Sequence, residues 1–243
     1  MSELKFSDLV EPVAVDQKTA LRITVLGGGS FGTAMANTAV RNGCDTMIWI
    51  RDEAVAADIN ATHVNKRYLP DFKLEDGLRA VSNIEEAVRD RDIILVAIPS
   101  HSFRDVLKQI KPFITSQAVV SLTKGIEANT FSFMSDIIRS ELPEVPYGVL
   151  SGPNLAKEIM AGQPAGTVIA SQSDLVRYAV QQALHSALFR VFASDDVHGV
   201  ELGGALKNIY AVAMGMAAAY KVGENTKSMI LTRALAEMSR FAV

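Results

Sequence analysis

One glycine-rich segment constrains the fold of this chain more than any other feature. A strand pattern, Arg22-Ile-Thr-Val-Leu26, runs into Gly27-Gly-Gly-Ser-Phe-Gly32, and a helical pattern follows directly. In the spacing G-x-G-x-x-G, Gly27 permits a tight turn, Gly29 lets a pyrophosphate approach the backbone, and Gly32 lets helix and strand pack closely. The free N–H groups at the helix start attract phosphate. The segment therefore predicts dinucleotide binding, with a plain strand-to-helix turn as the alternative.

Past this segment, short β-rich runs alternate with helical patterns, which is typical of a parallel sheet with crossover helices. The predicted strands are Ile23–Leu26, Thr46–Ile50, Ala80–Ser82, Ile93–Ile98, Val119–Leu122, Gly148–Leu150, Thr167–Ala170 and Phe189–Phe192. The predicted helices are Phe31–Arg41, Glu53–Ala61, Phe103–Ile110, Phe131–Arg139 and Leu175–Ser186. Several strands are apolar throughout, as strands covered on both faces are. The fold class is therefore α/β, a doubly wound Rossmann-type domain.

The pattern changes near residue 197, where the strands stop and two long helices rich in Ala and Met follow, Gly203–Tyr220 and Lys227–Phe241. We therefore divide the chain into an N-terminal extension (1–20), a dinucleotide-binding domain (21–197) and the start of an all-helical domain (198–243). This last part has fewer residues than an independent core usually needs. Its helices are expected to pack on the first domain, on a partner or on a continuation of the chain, and a homodimer is among the arrangements left open.

Composition and charge exclude several classes of protein. A net charge of -3 and a pI of about 5.8 argue against nonspecific binding to nucleic acid or to an anionic membrane. The longest apolar run, Ile209–Tyr220, predicts a buried helix, because about twelve residues fall short of the ~20 that span a bilayer. The first twenty residues show no secretory or transit signal. Since the single cysteine, Cys44, suits a reducing cytosol, we expect a cytoplasmic protein without disulfides.

Neither a metal site nor nucleophilic catalysis is predicted. The four histidines share no spacing typical of metal ligands: His63, His101, His185 and His198. No Ser/His/Asp set suggests an activated nucleophile.

Two lysines are candidates for chemistry. Lys124 follows the strand Val119–Leu122, at the carboxyl end of the sheet where open α/β folds bind ligands. Lys207 lies in an otherwise apolar helix, and a buried lysine is rare without a reason. Desolvation would lower its pKa toward the range that a general acid or base needs, and Asn208 beside it could orient the amine or hold a hydroxyl. The alternatives are a surface lysine at 124 and, at 207, a lysine that extends its amine to solvent.

Other polar turns lie at the same edge of the predicted sheet. His101 follows one strand, in Pro99-Ser-His101, and is expected to line the cofactor or to be structural. The turn Ser151-Gly-Pro-Asn154 ends another strand, opens a helix and can offer N–H groups to an anion. Past the second strand, Arg51 could receive the 2′-phosphate of NADP, whereas Asp52 could bind a ribose hydroxyl. The pair favours NADP slightly and leaves NAD open, and solvated loop charges are the alternative.

Together these motifs resemble a known family, the bacterial-type NAD(P)-dependent glycerol-3-phosphate dehydrogenases. The resemblance runs in family order from the first strand to the end of the chain. It rests on the segments Gly27-Gly-Gly-Ser-Phe-Gly-Thr-Ala-Met-Ala36, Ile98-Pro-Ser-His101, Leu122-Thr-Lys-Gly-Ile126, Ser151-Gly-Pro-Asn-Leu-Ala-Lys-Glu158, Leu202-Gly-Gly-Ala-Leu-Lys-Asn208 and Leu231-Thr-Arg-Ala-Leu-Ala-Glu-Met-Ser-Arg240. The glycine segment is common to many dehydrogenases, whereas the last two segments are far more specific.

The resemblance implies reversible reduction of dihydroxyacetone phosphate to sn-glycerol 3-phosphate, which supplies the backbone of glycerophospholipids. It also implies a C-terminal domain similar to that of 6-phosphogluconate dehydrogenase. By the same resemblance, Lys207 exchanges the proton, and Lys124 contacts both cofactor and substrate. The implied cofactor contacts are Ser30, Phe31, Arg51 and Ala156, and the implied substrate contacts are Gly152 and Asn154. Asn154 stands where many members have Ser or Thr.

In the family that this chain resembles, the helical domain continues for roughly a hundred residues beyond the end of this sequence and carries the segments that grip the substrate phosphate. These segments are absent here, so we expect this polypeptide to bind a dinucleotide and turn over poorly. The competing hypotheses are another β-hydroxyacid dehydrogenase that acts on a carboxylated substrate, and a noncatalytic dinucleotide-binding module.

Overall fold

Eight strands form one sheet in the computed structural model, which describes residues 20–241. They are β1 (Arg22–Leu26), β2 (Asp45–Trp49), β3 (Arg79–Val81), β4 (Ile93–Val96), β5 (Ala118–Ser121), β6 (Tyr147–Ser151), β7 (Ala165–Ala170) and β8 (Phe189–Ser194). Their order across the sheet is β3-β2-β1-β4-β5-β6-β7-β8. All the predicted strands are confirmed. The predicted N-terminal extension, apart from Ala20, lies outside the described residues.

The prediction of a parallel sheet is wrong at one place. Strands β6 and β7 pair antiparallel, with Leu150 opposite Ile169, whereas the other neighbouring strands run parallel. The connection between β6 and β7 contains only a five-residue helix, Ala156–Met160. Such a helix rises about 7.5 Å, while a five-residue strand is roughly 16 Å long. The helix is therefore too short to return the chain to the opposite end of the sheet.

Nine α-helices accompany the strands within residues 20–241. They are α1 (Ser30–Arg41), α2 (Glu53–Thr62), α3 (Ile84–Val88), α4 (Ser100–Ile110), α5 (Met134–Glu141), α6 (Ala156–Met160), α7 (Asp174–Leu184), α8 (Val197–Ala219) and α9 (Glu224–Phe241). The predicted helices are confirmed with shifted ends, and α3 is too short to show a helical period in the sequence. The start predicted at Phe131 is wrong, because Phe131 has a left-handed φ of 55°. The helix begins at Met134, where the Asp136 carboxylate accepts the Phe133 N–H at 3.2 Å.

The core lies on both faces of the sheet. In β4, Ile93 and Leu95 belong to one cluster of buried side chains, while Ile94 and Val96 belong to the other. This alternation follows the two-residue period of a strand. Helices α1, α2, α6 and α7 cover the first face, and α3, α4 and α5 cover the second. The doubly wound prediction is therefore confirmed.

The apolar run predicted to form a buried helix is largely exposed. Within α8, Ile209, Val212 and Met216 keep 62%, 64% and 58% of their surface accessible. Apolar residues surround this part of the helix, and its described neighbours α9, β6 and β7 leave these three side chains largely uncovered. No helix among residues 20–241 combines the length and apolar character needed to cross a bilayer.

Candidate active site

The strand order reverses at β1, so the carboxyl ends of β1 and β4 form the switch point at which open α/β sheets leave a crevice. The chain passes from β1 outward to β2 and β3 and then returns to β4 on the other side of β1. Open α/β sheets bind ligands at such a point. The turn Gly27–Gly32 follows β1, and the Gly27 N–H donates to the Trp49 carbonyl at 3.1 Å, which ties the turn to β2. The glycine turn therefore lies at the mouth of the crevice.

Two of the motif glycines are required by the protein backbone itself. Gly27 has φ +121°, and a Cβ added there would lie 2.3 Å from the Ala97 carbonyl oxygen. A Cβ on Gly32 would lie 2.1 Å from the carbonyl oxygen of Gly27. Both contacts are far inside van der Waals distance. These glycines therefore let the turn close and let α1 pack against it.

Gly29 has a different environment. Its φ is −71°, an ordinary value, and a Cβ added there would meet no protein atom within 4 Å. No contact among the described residues requires a glycine at this position. No side chain caps α1, so the N–H groups of its first turn receive no capping hydrogen bond within the described residues. Open space at this glycine is what the motif requires for the approach of a pyrophosphate, which stays a prediction.

Asn65 holds the turn in place and was missed by the sequence analysis. Its side chain is 1% exposed, and its Nδ2 donates to the Gly28 carbonyl and to Thr33 Oγ1, each at 2.9 Å. One amide thus joins the glycine turn to the first turns of α1. No local pattern marks this residue, because its partners lie more than thirty residues earlier in the chain.

Lys124 lies in the crevice beside the glycine turn. It follows β5, and its Nζ is 5.1 Å from the centre of the Phe31 ring, a cation–π contact with α1. Partial burial, and after it the nearby positive charge of Lys207, together lower the pKa of Lys124 to about 8. A fraction of this amine is therefore unprotonated near neutral pH.

Lys207 reaches the same crevice from α8. Its Nζ donates to the Gly152 carbonyl at 3.2 Å, and the side chain is half-buried rather than buried as predicted. Gly204 lies one turn earlier, where a Cβ would be 2.4 Å from Ser151 Oγ and 4.0 Å from Lys124 Cγ. A glycine at 204 therefore allows α8 to approach the ends of β5 and β6, and this approach brings the two predicted lysines together.

Hydrogen bonds within the protein hold the turn that follows β6. The Gly152 carbonyl accepts the Asn154 N–H at 2.9 Å as well as the Lys207 ammonium. The Asn154 side-chain Nδ2 donates to the Gly166 carbonyl of β7 at 2.8 Å, while Asn154 Oδ1 is buried without a hydrogen-bond partner among the described residues. The Asn154 Nδ2 is thus bound to the sheet, whereas Oδ1 is available to accept a hydrogen bond.

The other predicted residues lie around the rim. His101, on the first turn of α4, and Asn208, beside Lys207, are both exposed. Ala156 begins α6 and packs on the core beside α1. Arg51 is exposed and makes no ion pair within residues 20–241, whereas Asp52 caps α2 by accepting the N–H groups of Ala54 and Val55 at 3.0 and 3.3 Å. The structure thus gives Asp52 a role in α2.

No group of three His, Cys, Asp or Glu side chains in the described part of the chain could hold a metal ion.

The sheet, the glycine turn at its switch point and the paired lysines define the class: a dinucleotide-binding protein of the dehydrogenase type. Residues 22–176 match the family model described as the N-terminus of NAD-dependent glycerol-3-phosphate dehydrogenase, and residues 196–243 match the model of its C-terminus. The chain belongs to the NAD-dependent glycerol-3-phosphate dehydrogenase family.

Curated relatives agree with this assignment. A protein of Acinetobacter baumannii (strain SDF) named glycerol-3-phosphate dehydrogenase (NAD(P)+) is 86% identical over all 243 residues, and a protein of the same name from Acinetobacter baylyi is 82% identical. The chain spans 68% of the length of these relatives. A relative of that name from Psychrobacter cryohalolentis is 65% identical over 225 residues, which are 93% of this chain and 52% of the relative.

Solved structures show the same fold. Glycerol-3-phosphate dehydrogenase from Coxiella burnetii superposes with a TM-score of 0.85 at 34% identity, covering 91% of this chain and 68% of its own. The enzyme of that name from Saccharomyces cerevisiae gives 0.83 at 28% identity, covering 92% and 70%. A pyrroline-5-carboxylate reductase from Coxiella burnetii gives 0.57 at 14% identity over 92% of this chain and 80% of its own, which shows a shared fold alone.

Proposed function

We propose that this chain carries the crevice in which dihydroxyacetone phosphate and sn-glycerol 3-phosphate are interconverted with NAD(P)H or NAD(P)+. The observation that carries the proposal is the meeting of Lys124 and Lys207 beside a glycine turn with open space at Gly29. The relatives' printed name, glycerol-3-phosphate dehydrogenase, supports the substrate assignment. The product would feed glycerophospholipid synthesis.

The dinucleotide would lie across the glycine turn. Its pyrophosphate would occupy the space at Gly29 and accept hydrogen bonds from the N–H groups of Ser30 and Phe31. When bound, the cofactor supplies or accepts the hydride. The cofactor-facing set would comprise Gly27, Gly29, Ser30, Phe31, Gly32, Arg51, His101, Lys124 and Ala156. The unpaired Arg51 supports a preference for NADP over NAD, and the relatives' names include both.

The two lysines would share the work on the substrate. Negative charge develops on the carbonyl oxygen as it is reduced, and an ammonium in a partly desolvated crevice stabilises that charge. In our proposal Lys207 donates the proton to this oxygen and accepts it in the reverse direction. Lys124 holds the substrate near the cofactor, because it lies between the Phe31 ring and α8. Gly152, Asn154 and Asn208 would complete the substrate-facing edge.

The arrangement of the chain beyond this crevice is also part of the proposal. We place the boundary between the dinucleotide-binding domain (21–197) and the helical part (198–243) at the start of α8. A homodimer would cover exposed apolar side chains such as Ile209 and Met216.

A cytoplasmic location suits Cys44. Burial raises the pKa of its thiol to about 11, and the thiol is therefore unreactive.

A comparison of substrates tests which reaction this chain catalyses. The oxidation of NADPH and NADH is followed with dihydroxyacetone phosphate and, separately, with small 2- and 3-oxo acids. We expect turnover above the Lys207→Ala background with dihydroxyacetone phosphate only. Faster turnover with an oxo acid would favour the β-hydroxyacid dehydrogenase hypothesis. Cofactor binding with no turnover of any substrate would favour the noncatalytic module.

A further inference from the structure

A glutamate on α8 is buried against the start of another helix. Glu201 is 7% exposed, and its Oε1 accepts the backbone N–H of Ser135 at 3.0 Å. The Ser135 hydroxyl donates to the second carboxylate oxygen, Oε2. Because Ser135 lies in the first turn of α5, the Glu201 carboxylate satisfies a free N–H group at the end where the helix dipole is positive.

This arrangement is unusual enough to need a reason. Glutamate is almost never buried unless paired. Burial raises the pKa of Glu201 above its ordinary value, and the nearby Asp136 acts in the same direction. The two Ser135 hydrogen bonds and the neighbouring His198 oppose this rise. A hydrogen-bonded pair of this kind is worth little when complete and is costly to break. The contact is therefore a specific attachment of α8 to α5, rather than a general source of stability.

The same helix carries the crevice contacts at a regular interval. Gly204 meets Ser151, and Lys207 reaches the Gly152 carbonyl at 3.2 Å. Glu201 and Lys207 are six residues apart, about 9 Å along a helix. A fixed point at Glu201, followed by a close approach at Gly204, leaves α8 little freedom to rotate or slide. The ammonium of Lys207 is held beside Lys124 as a result.

We propose that Glu201 is a positioning residue: its carboxylate, held by Ser135, sets the rotation and axial position of α8 so that Lys207 stays beside Lys124. Within residues 20–241, no hydrogen bond or ion pair joins Glu201 to Lys124 or Lys207. This inference concerns the assembly of the crevice and does not depend on which substrate the crevice takes. It is therefore testable in the chain without turnover.

Lys124 itself reports on the position of α8. Its pKa of about 8 depends on burial and on the charge of Lys207, so displacement of α8 moves the pKa toward that of a solvated lysine. Competitive acylation of the folded chain across a pH series, read by mass spectrometry, gives the midpoint for Lys124. Lys207→Ala is the reference for loss of the neighbouring charge and should raise the midpoint.

We expect Glu201→Ala to raise the Lys124 midpoint by roughly one pH unit, which is a tenfold slower labelling near neutral pH. Glu201→Gln should keep the wild-type midpoint, because its amide oxygen can accept the Ser135 N–H and its amide NH₂ can donate to the hydroxyl. Glu224→Ala is the matched control, since it removes an exposed carboxylate from α9 and should change nothing.

Thermal unfolding establishes which variants are folded. If Glu201→Ala does not fold, Ser135→Ala decides, because it removes only the hydroxyl and should raise the midpoint in the same direction. A folded Glu201→Ala, or in its place a folded Ser135→Ala, with the wild-type Lys124 midpoint would overturn the proposal. So would a Glu201→Gln midpoint that rises as far as that of Glu201→Ala.

Discussion

The Lys124 ammonium lies 5.1 Å from the centre of the Phe31 ring. This contact joins the end of β5 to the first turn of α1, directly behind the glycine turn. The residue that would bind dinucleotide and the residue that would bind substrate are thus in contact before either ligand arrives. The crevice is held together from one side by this contact and from the other by the contact of Lys207 with Gly152.

Phe31→Leu is expected to lower the pKa of Lys124 further below its value of about 8. The aromatic face stabilises the charged amine by about 0.5–2 kcal/mol, and a leucine keeps apolar bulk without that attraction. The pH midpoint of Lys124 acylation measures the change. Phe113→Leu is a matched control, because Phe113 lies 5.5 Å from the Arg89 guanidinium in a second cation–π pair that does not involve Lys124. Equal midpoints in all three proteins would contradict the prediction.

Gly29→Ala is expected to weaken dinucleotide binding by at least about tenfold, or roughly 1.4 kcal/mol. The added methyl group meets no described protein atom and would occupy the space assigned to the pyrophosphate. Isothermal titration calorimetry with NADP+ measures the affinity. Gly223→Ala is the control, since a methyl group there also meets no protein atom within 4 Å. If both variants bind the cofactor equally well, the space at Gly29 is not the binding site.

Asn65→Ala is expected to lower both stability and dinucleotide affinity. The substitution leaves the half-buried Gly28 carbonyl and the buried Thr33 hydroxyl without their amide partner, and an unsatisfied buried group costs about 1–3 kcal/mol. Urea unfolding and isothermal titration calorimetry with NADP+ measure the two effects. Asn60→Ala also removes an amide with two hydrogen bonds, both to Ala80 in β3, and should cost stability while keeping affinity. Parallel losses of affinity in both variants would show a general effect of destabilisation.

Local sequence pattern was sufficient for one part of the site. The glycine turn depends on residues that follow one another in the chain, and Lys124 depends on its place after an apolar strand. The strands and most helices follow from periodicities of the same short range. Lys207 was identified because a charged residue interrupts an apolar helix, although the structure leaves its side chain only half-buried.

The remaining features depend on partners that are distant in the chain. Asn65 meets Gly28 across 37 positions, and Glu201 meets Ser135 across 66. No pattern around either residue reveals that it is buried and paired. The antiparallel β6–β7 pair and the exposed face of α8 have the same origin, because both depend on how elements pack rather than on their own periodicity.

Glu127 is expected to make the stability of the protein depend on acid pH. Arg104 donates to both Glu127 oxygens at 2.8 and 2.9 Å and to Glu141 at 2.6 Å. The Arg104 hydrogen bonds, and then that of Thr130, lower the pKa of Glu127 to about 2. A carboxylate with a lowered folded-state pKa stabilises the fold above its unfolded pKa, near 4.3, and that contribution is lost as pH falls toward 2.

Glu127→Gln should therefore flatten the fall in the free energy of unfolding between about pH 4.3 and 2. Denaturant unfolding at a series of pH values measures the slope. Arg104→Met should flatten the same interval, because it removes the cation that lowers the Glu127 pKa. A wild-type slope in Glu127→Gln would show that this ion pair does not carry the acid dependence.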